Sequence, residues 1–217
     1  MGSETFHQFG GVWTQHKLQI LQAYLHAYRK ALKKQPFRLA YIDAFAGSGY
    51  VLPSAAARDE GPIDLFEDLA APPTQGLLEG SASVALQVDP PCHEYTFIER
   101  DQARCDSLKK LAGRDEFANR DVNIVRGEAN EEIRRICGQS WAGRRAVVFL
   151  DPYGMQVEWT TLTAIAATGA IDLWVLFPLG QAVNRLVTRS GQIPPGWEAR
   201  LTKTLGTEEW RTEFYEQ

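Results

Sequence analysis

Between positions 18 and 32 the apolar residues recur every three or four places. Leu18, Leu21, Leu25, Tyr28 and Leu32 form one stripe, the period of a helix with a single buried face. Thr14 is the expected N-cap of that helix, since its hydroxyl can accept from the first orphan N–H groups. The helix is expected to run to about Lys34, before Pro36. Beyond Pro36 the pattern changes to short runs that are apolar at successive positions. Leu39–Ala44, Tyr95–Ile98, Asn123–Val125, Ala146–Leu150 and Ile171–Phe177 are predicted strands. Ser81–Gln87, Gln102–Leu111, Glu131–Cys137 and Thr160–Ala167 are the helices predicted between them. Strands apolar on both faces and alternating with helices predict an α/β fold: a Rossmann-like, mostly parallel sheet with helices on both faces. Ligands in such sheets bind at the carboxyl ends of the strands.

The organisation that follows has three parts: an N-terminal helical extension over 1–38, an α/β core over 39–180 and a C-terminal helical segment over 181–217. One connection breaks the alternation. Tyr50 to Gly80 is about thirty residues rich in Pro, Gly, Ala and acids, a length that suits a lid over the site or a disordered insertion. The final stretch, LTKTLGTEEWRTEFYEQ, predicts two helices and no further strand, as expected of a chain truncated at its C-terminus.

Composition narrows the picture. The chain has 217 residues, 44% of them apolar, enough for one full core. No run approaches eighteen apolar residues, so no membrane span is expected. MGSETFHQFGG lacks the basic and apolar regions of a signal peptide. Cys92, Cys105 and Cys137 are scattered with no C-x-x-C pair, as in reduced thiols of a cytoplasmic protein. The net charge of −4 does not favour nucleic acid. Residues 1–38 hold six Lys/Arg against Glu4, a net +5 that leaves −9 for the rest. That basic helix reads as a solvated face, with an anionic partner as the alternative. His7, His16, His26 and His93 show no metal-ligand spacing, no G-x-S-x-G elbow is present, and no P-loop lysine follows the first strand.

The strand ends hold the candidate chemistry. Asp43 and the turn Phe45-Ala46-Gly47-Ser48-Gly49 close the first strand, where glycines let backbone approach a ligand. Glu99, followed by Arg100, closes the second; a carboxylate there can accept both hydroxyls of a ribose. Glu128, Ala129 and Asn130 close the third. Asn130 is expected to cap the helix that follows, with the Glu128 side chain pointing elsewhere and the Ala129 N–H available to a base. Asp151, Pro152 and Tyr153 close the fourth. The carboxylate and the proline carbonyl can accept two amine hydrogens, and the ring can stack on a planar group. Lys17 reads as a surface lysine, with a cofactor carboxylate as its alternative partner.

Taken in order, DAFAGSG, IERD, GEAN and LDPYG resemble the cofactor loop, ribose acid, adenine-contacting strand end and catalytic strand end of class I S-adenosylmethionine-dependent methyltransferases. WTQHKLQILQAYLHAY, YIDAFAGSG, GSASVAL, FIERD and FLDPYGM more closely resemble the three-Cys-motif partner protein (TcmP) family. The resemblance implies S-adenosyl-L-methionine as cofactor. It assigns Asp43, Phe45, Ala46, Gly47, Ser48, Gly49, Glu99, Arg100, Glu128 and Ala129 to cofactor binding, and Asp151, Pro152 and Tyr153 to catalysis on an amine nitrogen. It also implies a partner protein that carries the three cysteines. LDPYG is similar to the D-P-F-G of transfer-RNA guanine-N2 methyltransferases and departs from the D-P-P-Y of adenine-N6 enzymes. An RNA guanine-N2 methyltransferase and a non-catalytic scaffold are therefore the alternative readings.

Overall fold

The computed structural model describes residues 7–51, 78–177 and 193–215. Five strands make an all-parallel sheet: β1 (Arg38–Asp43), β4 (Glu94–Glu99), β5 (Val122–Arg126), β6 (Arg144–Leu150) and β7 (Ile171–Val175). Their spatial order is β5-β4-β1-β6-β7, so the chain leaves β1 toward one edge and later returns to its other side at β6. This is the Rossmann-like order, and its switch point lies between β1 and β6.

Burial explains why these segments are strands. Leu39 and Tyr41 of β1, Tyr95 and Phe97 of β4, and Val147 and Phe149 of β6 pack on one face. The intervening Ala40, Ile42, Ile98, Ala146 and Val148 pack on the other. A strand buried on both faces has no place for a polar residue, hence the continuous apolar runs. The first face is covered by α1 (His7–Leu32), α2 (Ser81–Leu86) and α3 (Gln102–Ala112). The second is covered by α4 (Ala129–Cys137) and α5 (Trp159–Ala167). Two further helices, α6 (Pro195–Leu205) and α7 (Trp210–Tyr215), form a small cluster in which Leu201 and Trp210 pack with Met155.

The α1 stripe enters the main core, with Leu21 and Leu25 essentially inaccessible. Helix α1 therefore supplies a layer of the sheet's packing. Thr14 is not the cap, because α1 already begins at His7. At the other end of the sheet, β7 stops at Val175, two residues before the expected Phe177. The ends of the long connection pair with each other: β2 (Tyr50–Val51) and β3 (Leu78–Glu79) form a two-stranded antiparallel ribbon. Gly80 donates its N–H to the Gly49 carbonyl at 3.0 Å beside that ribbon. The expected lid, residues 52–77, lies outside the described residues, as do 178–192. No described helix is long and apolar enough to cross a membrane.

Candidate functional site

Side chains alternate faces along a strand. Asp43, Glu99 and Asp151 carry on the odd-numbered parity of Tyr41, Phe97 and Phe149, the set that faces α1, α2 and α3. Register aligns Asp43 with Phe97 on one side and Phe149 on the other. Three carboxylates thus end three adjacent strands on one face of the sheet, around the switch point.

Asp43 is fully buried. Its Oδ1 accepts from the Phe45 N–H at 3.2 Å, and Oδ2 lies 3.5 Å from the Tyr41 hydroxyl. Burial pushes its carboxyl up to about 7; hydrogen bonds from Ser81 and Phe45 and the Lys17 charge oppose that, while Asp151 adds to it. Such a group is poised to take a cation, whose arrival would restore the ionised form.

Glu99, also buried, receives the turn after β1: its Oε2 accepts from the Gly47 N–H at 3.1 Å, and its Oε1 from the Asp101 N–H at 3.0 Å. Arg104 stands 3.9 Å from Oε2 on the exposed side. A carboxylate has about four acceptor positions, so a diol can still be accommodated. Gly47 has φ +61°, and a β-carbon built there would meet nothing within 4 Å. Open ground therefore lies above this residue, next to the buried acid. Gly49 differs: its φ is +75°, and a β-carbon would come within 2.7 Å of Leu111. One glycine leaves room; the other lets the turn pack on α3. Arg100 is exposed just past Glu99, and its carbonyl accepts from Arg126.

At the third strand end the expected roles are exchanged. Glu128, not Asn130, is the N-cap of α4, its Oε2 accepting from the Glu131 N–H at 2.9 Å. Nor do the two side chains diverge, because the Asn130 amide donates to Glu128 Oε1 at 2.8 Å. Ala129 is the first residue of α4, a position whose N–H has no partner within the helix.

Asn130 is buried and uses its whole hydrogen-bonding capacity. Its Nδ2 donates to Glu128 and to the Gln156 carbonyl (2.9 Å). Its Oδ1 accepts from the Glu158 N–H (2.9 Å) and the Thr161 hydroxyl (2.8 Å). Gln156 and Glu158 belong to the loop that follows LDPYG. Thr204 of α6 donates to the Met155 carbonyl in the same loop, and Arg134 and Lys203 pair with Glu158. The loop carrying the fourth strand end is thus fastened from α4 and from α6.

Asp151 is part-exposed at the head of that loop, and Lys17 of α1 forms an ion pair with its Oδ2. Lys17 is not a surface lysine; its side chain is only 17% exposed. Tyr153 is the most open of the three, at 59%, and Gly154 (φ +64°) turns the chain back. A shallow apolar hollow lies alongside, lined by Pro152, Met155, Val157, Leu162 and Phe177. Sequence reasoning passed over Asn130 as an anchor, Lys17 as an ion-pair partner and Ser81 as a donor to Asp43. Apart from Glu128, two positions from Asn130, the partners of the first two lie 26 to 134 positions away, and that of Ser81 lies 38 away.

No protein-family model and no curated protein matches the chain. Among solved structures it is similar to protein LPL1258 from Legionella pneumophila str. Philadelphia 1, assigned to family-model DUF519. The identity is 14% and the TM-score 0.50, over 72% of this chain and 65% of that one. A likeness at this identity is a likeness of fold, and this chain spans about two-thirds of the other's length.

Proposed function

We propose that the chain is a class I methyltransferase that uses S-adenosyl-L-methionine to methylate an amine nitrogen, within the three-Cys-motif partner family. The observation that carries this reading is the trio Asp43, Glu99 and Asp151 on one face of three adjacent strand ends, with the glycine turn bonded to Glu99. The donor set fits the cofactor's chemistry. Glu99 suits a ribose diol beside the open ground above Gly47, and buried Asp43 suits the ammonium of the methionine half. Phe45, Ala46, Ser48 and Gly49 complete the turn. The Ala129 N–H, next to Glu128, is available to the adenine edge.

Bound there, the cofactor would supply a methyl group on a sulfonium, which an acceptor nitrogen would take with its lone pair as the C–S pair stayed on sulfur and a proton left to solvent. The protein's share is alignment. Asp151 and the Pro152 carbonyl accept the amine hydrogens and so direct the lone pair, and Tyr153 stacks on a planar acceptor. Asn130 and Thr204 keep that loop in place. Holding the reacting atoms in line is worth up to about 7–11 kcal/mol of the barrier without any strong base.

Thermal unfolding with added S-adenosylmethionine tests the reading. Ligand at a hundred times its dissociation constant should stabilise the fold by about 2.7 kcal/mol, a rise of about 5–11 °C in the midpoint. An unchanged midpoint at millimolar ligand would remove the proposal.

A further inference from the structure

Lys17 has a place that the proposed methyl-transfer roles leave unexplained. It lies on α1, outside the strand ends, yet its ammonium reaches across 134 residues of sequence to Asp151 Oδ2. Burial dominates the raised carboxyl of Asp43, and the Lys17 charge opposes that rise as the least of the causes acting there. Arg104, a second cation near the trio, stands beside Glu99 and is half exposed.

A purely structural lysine would be expected to neutralise the acid that suffers most from burial, which is Asp43. The ion pair instead goes to Asp151, which is 31% exposed and partly solvated already. Asp43 is left with hydrogen bonds from Ser81, Phe45 and Tyr41, and no cation contacts it directly among the described residues. The arrangement suits a division of labour in which Asp43 awaits a ligand's cation and Asp151 carries the chain's own.

We propose that Lys17 is a positioning residue that fixes Asp151 through Oδ2, leaves Oδ1 to the acceptor nitrogen, and offsets one negative charge at the methyl-transfer end. The proposal rests on the methyltransferase reading. Its consequence concerns the two forms of the cofactor. S-Adenosylmethionine carries a sulfonium charge that its product, S-adenosylhomocysteine, has lost. A site in which Asp151 stood unpaired would favour the charged form. Lys17 tempers that preference.

The test is calorimetric titration of both ligands into the parent chain, Lys17→Met and Lys17→Arg. Removing one unit charge about 6 Å away, at an effective dielectric near 20, should raise the ratio of S-adenosylmethionine to S-adenosylhomocysteine affinity roughly a hundredfold in Lys17→Met. Lys17→Arg should keep the parent ratio. Lys17→Gln, also uncharged, serves if the methionine variant does not fold. An unchanged ratio in folded Lys17→Met would overturn the proposal. So would an equal loss of affinity for both ligands, which would assign Lys17 to the cofactor carboxylate. A parent that binds neither ligand overturns the methyltransferase reading itself, whereas unchanged discrimination in a parent that binds both removes only the role of Lys17.

Discussion

Replacing Asp43 with asparagine should make the protein more stable at neutral and alkaline pH while weakening cofactor binding. The carboxyl lies at the end of a central strand with no solvent access, and burial pushes it from 3.8 up to about 7. Between about pH 4 and pH 7 the folded chain therefore keeps a proton that the unfolded chain has released. Stability is fully present below the unfolded value and falls as pH rises through the folded one. The shift is about three pH units at about 1.4 kcal/mol each, so about 4 kcal/mol is the ceiling on what ionised Asp43 costs the unliganded fold. Asparagine keeps an oxygen for the Phe45 N–H and cannot ionise. Urea unfolding of parent and Asp43→Asn from pH 4.5 to pH 8.5 reads the effect directly. The variant's advantage should be small at the acid end and grow to roughly 2–4 kcal/mol above pH 7. An advantage that does not change with pH, or a variant less stable at pH 8, would mean that the Asp43 carboxyl is not raised in the folded chain. Binding should move the other way, because a ligand's ammonium gains from a carboxylate and little from an amide.

The anchor at Asn130 makes a sharper case: Asn130→Asp would put carboxylate oxygen against both Glu128 and the Gln156 carbonyl. A loss of about 3 kcal/mol in urea unfolding at pH 8 is expected, recovering partly in acid. The two glycines of the turn should separate. Gly47→Ala costs about 1–2 kcal/mol, from its positive φ alone, but fills the open ground and lowers cofactor affinity in titration. Gly49→Ala adds a clash with Leu111 and lowers the thermal midpoint further. Leu21→Ala should cost about 2–5 kcal/mol, since this α1 side chain is wholly buried against the sheet; a change below 0.5 kcal/mol would mean that α1 is only an appendage.

The sheet was legible because its strands are covered on both faces, which writes burial into consecutive apolar residues such as Ala146–Leu150. Strand ends were legible for the opposite reason: an acid directly after such a run has few places to go. Element boundaries were less visible. The start of α1 includes Gly10 and Gly11, whose low helix propensity hides a helix held by packing further along. Asn130 read as a cap because asparagine favours that place. Its spacing to Ile133 and Ile136, one inward helix face, was the available signal that it is buried. The ion pair of Lys17 with Asp151 had no such signal. It exists only once α1 lies across the sheet, and a lone lysine on a helix is ordinarily solvated.

Calorimetric titration of S-adenosylmethionine into the parent chain and Glu99→Gln, side by side, tests the central claim most directly. Glu99 is the buried acid that receives the glycine turn, and the amide keeps its size while removing the charge and half of its acceptor oxygens. The parent should bind saturably, one to one, and a folded Glu99→Gln should bind at least about tenfold more weakly. Absence of binding by the parent, or equal affinities in the two, would contradict that claim.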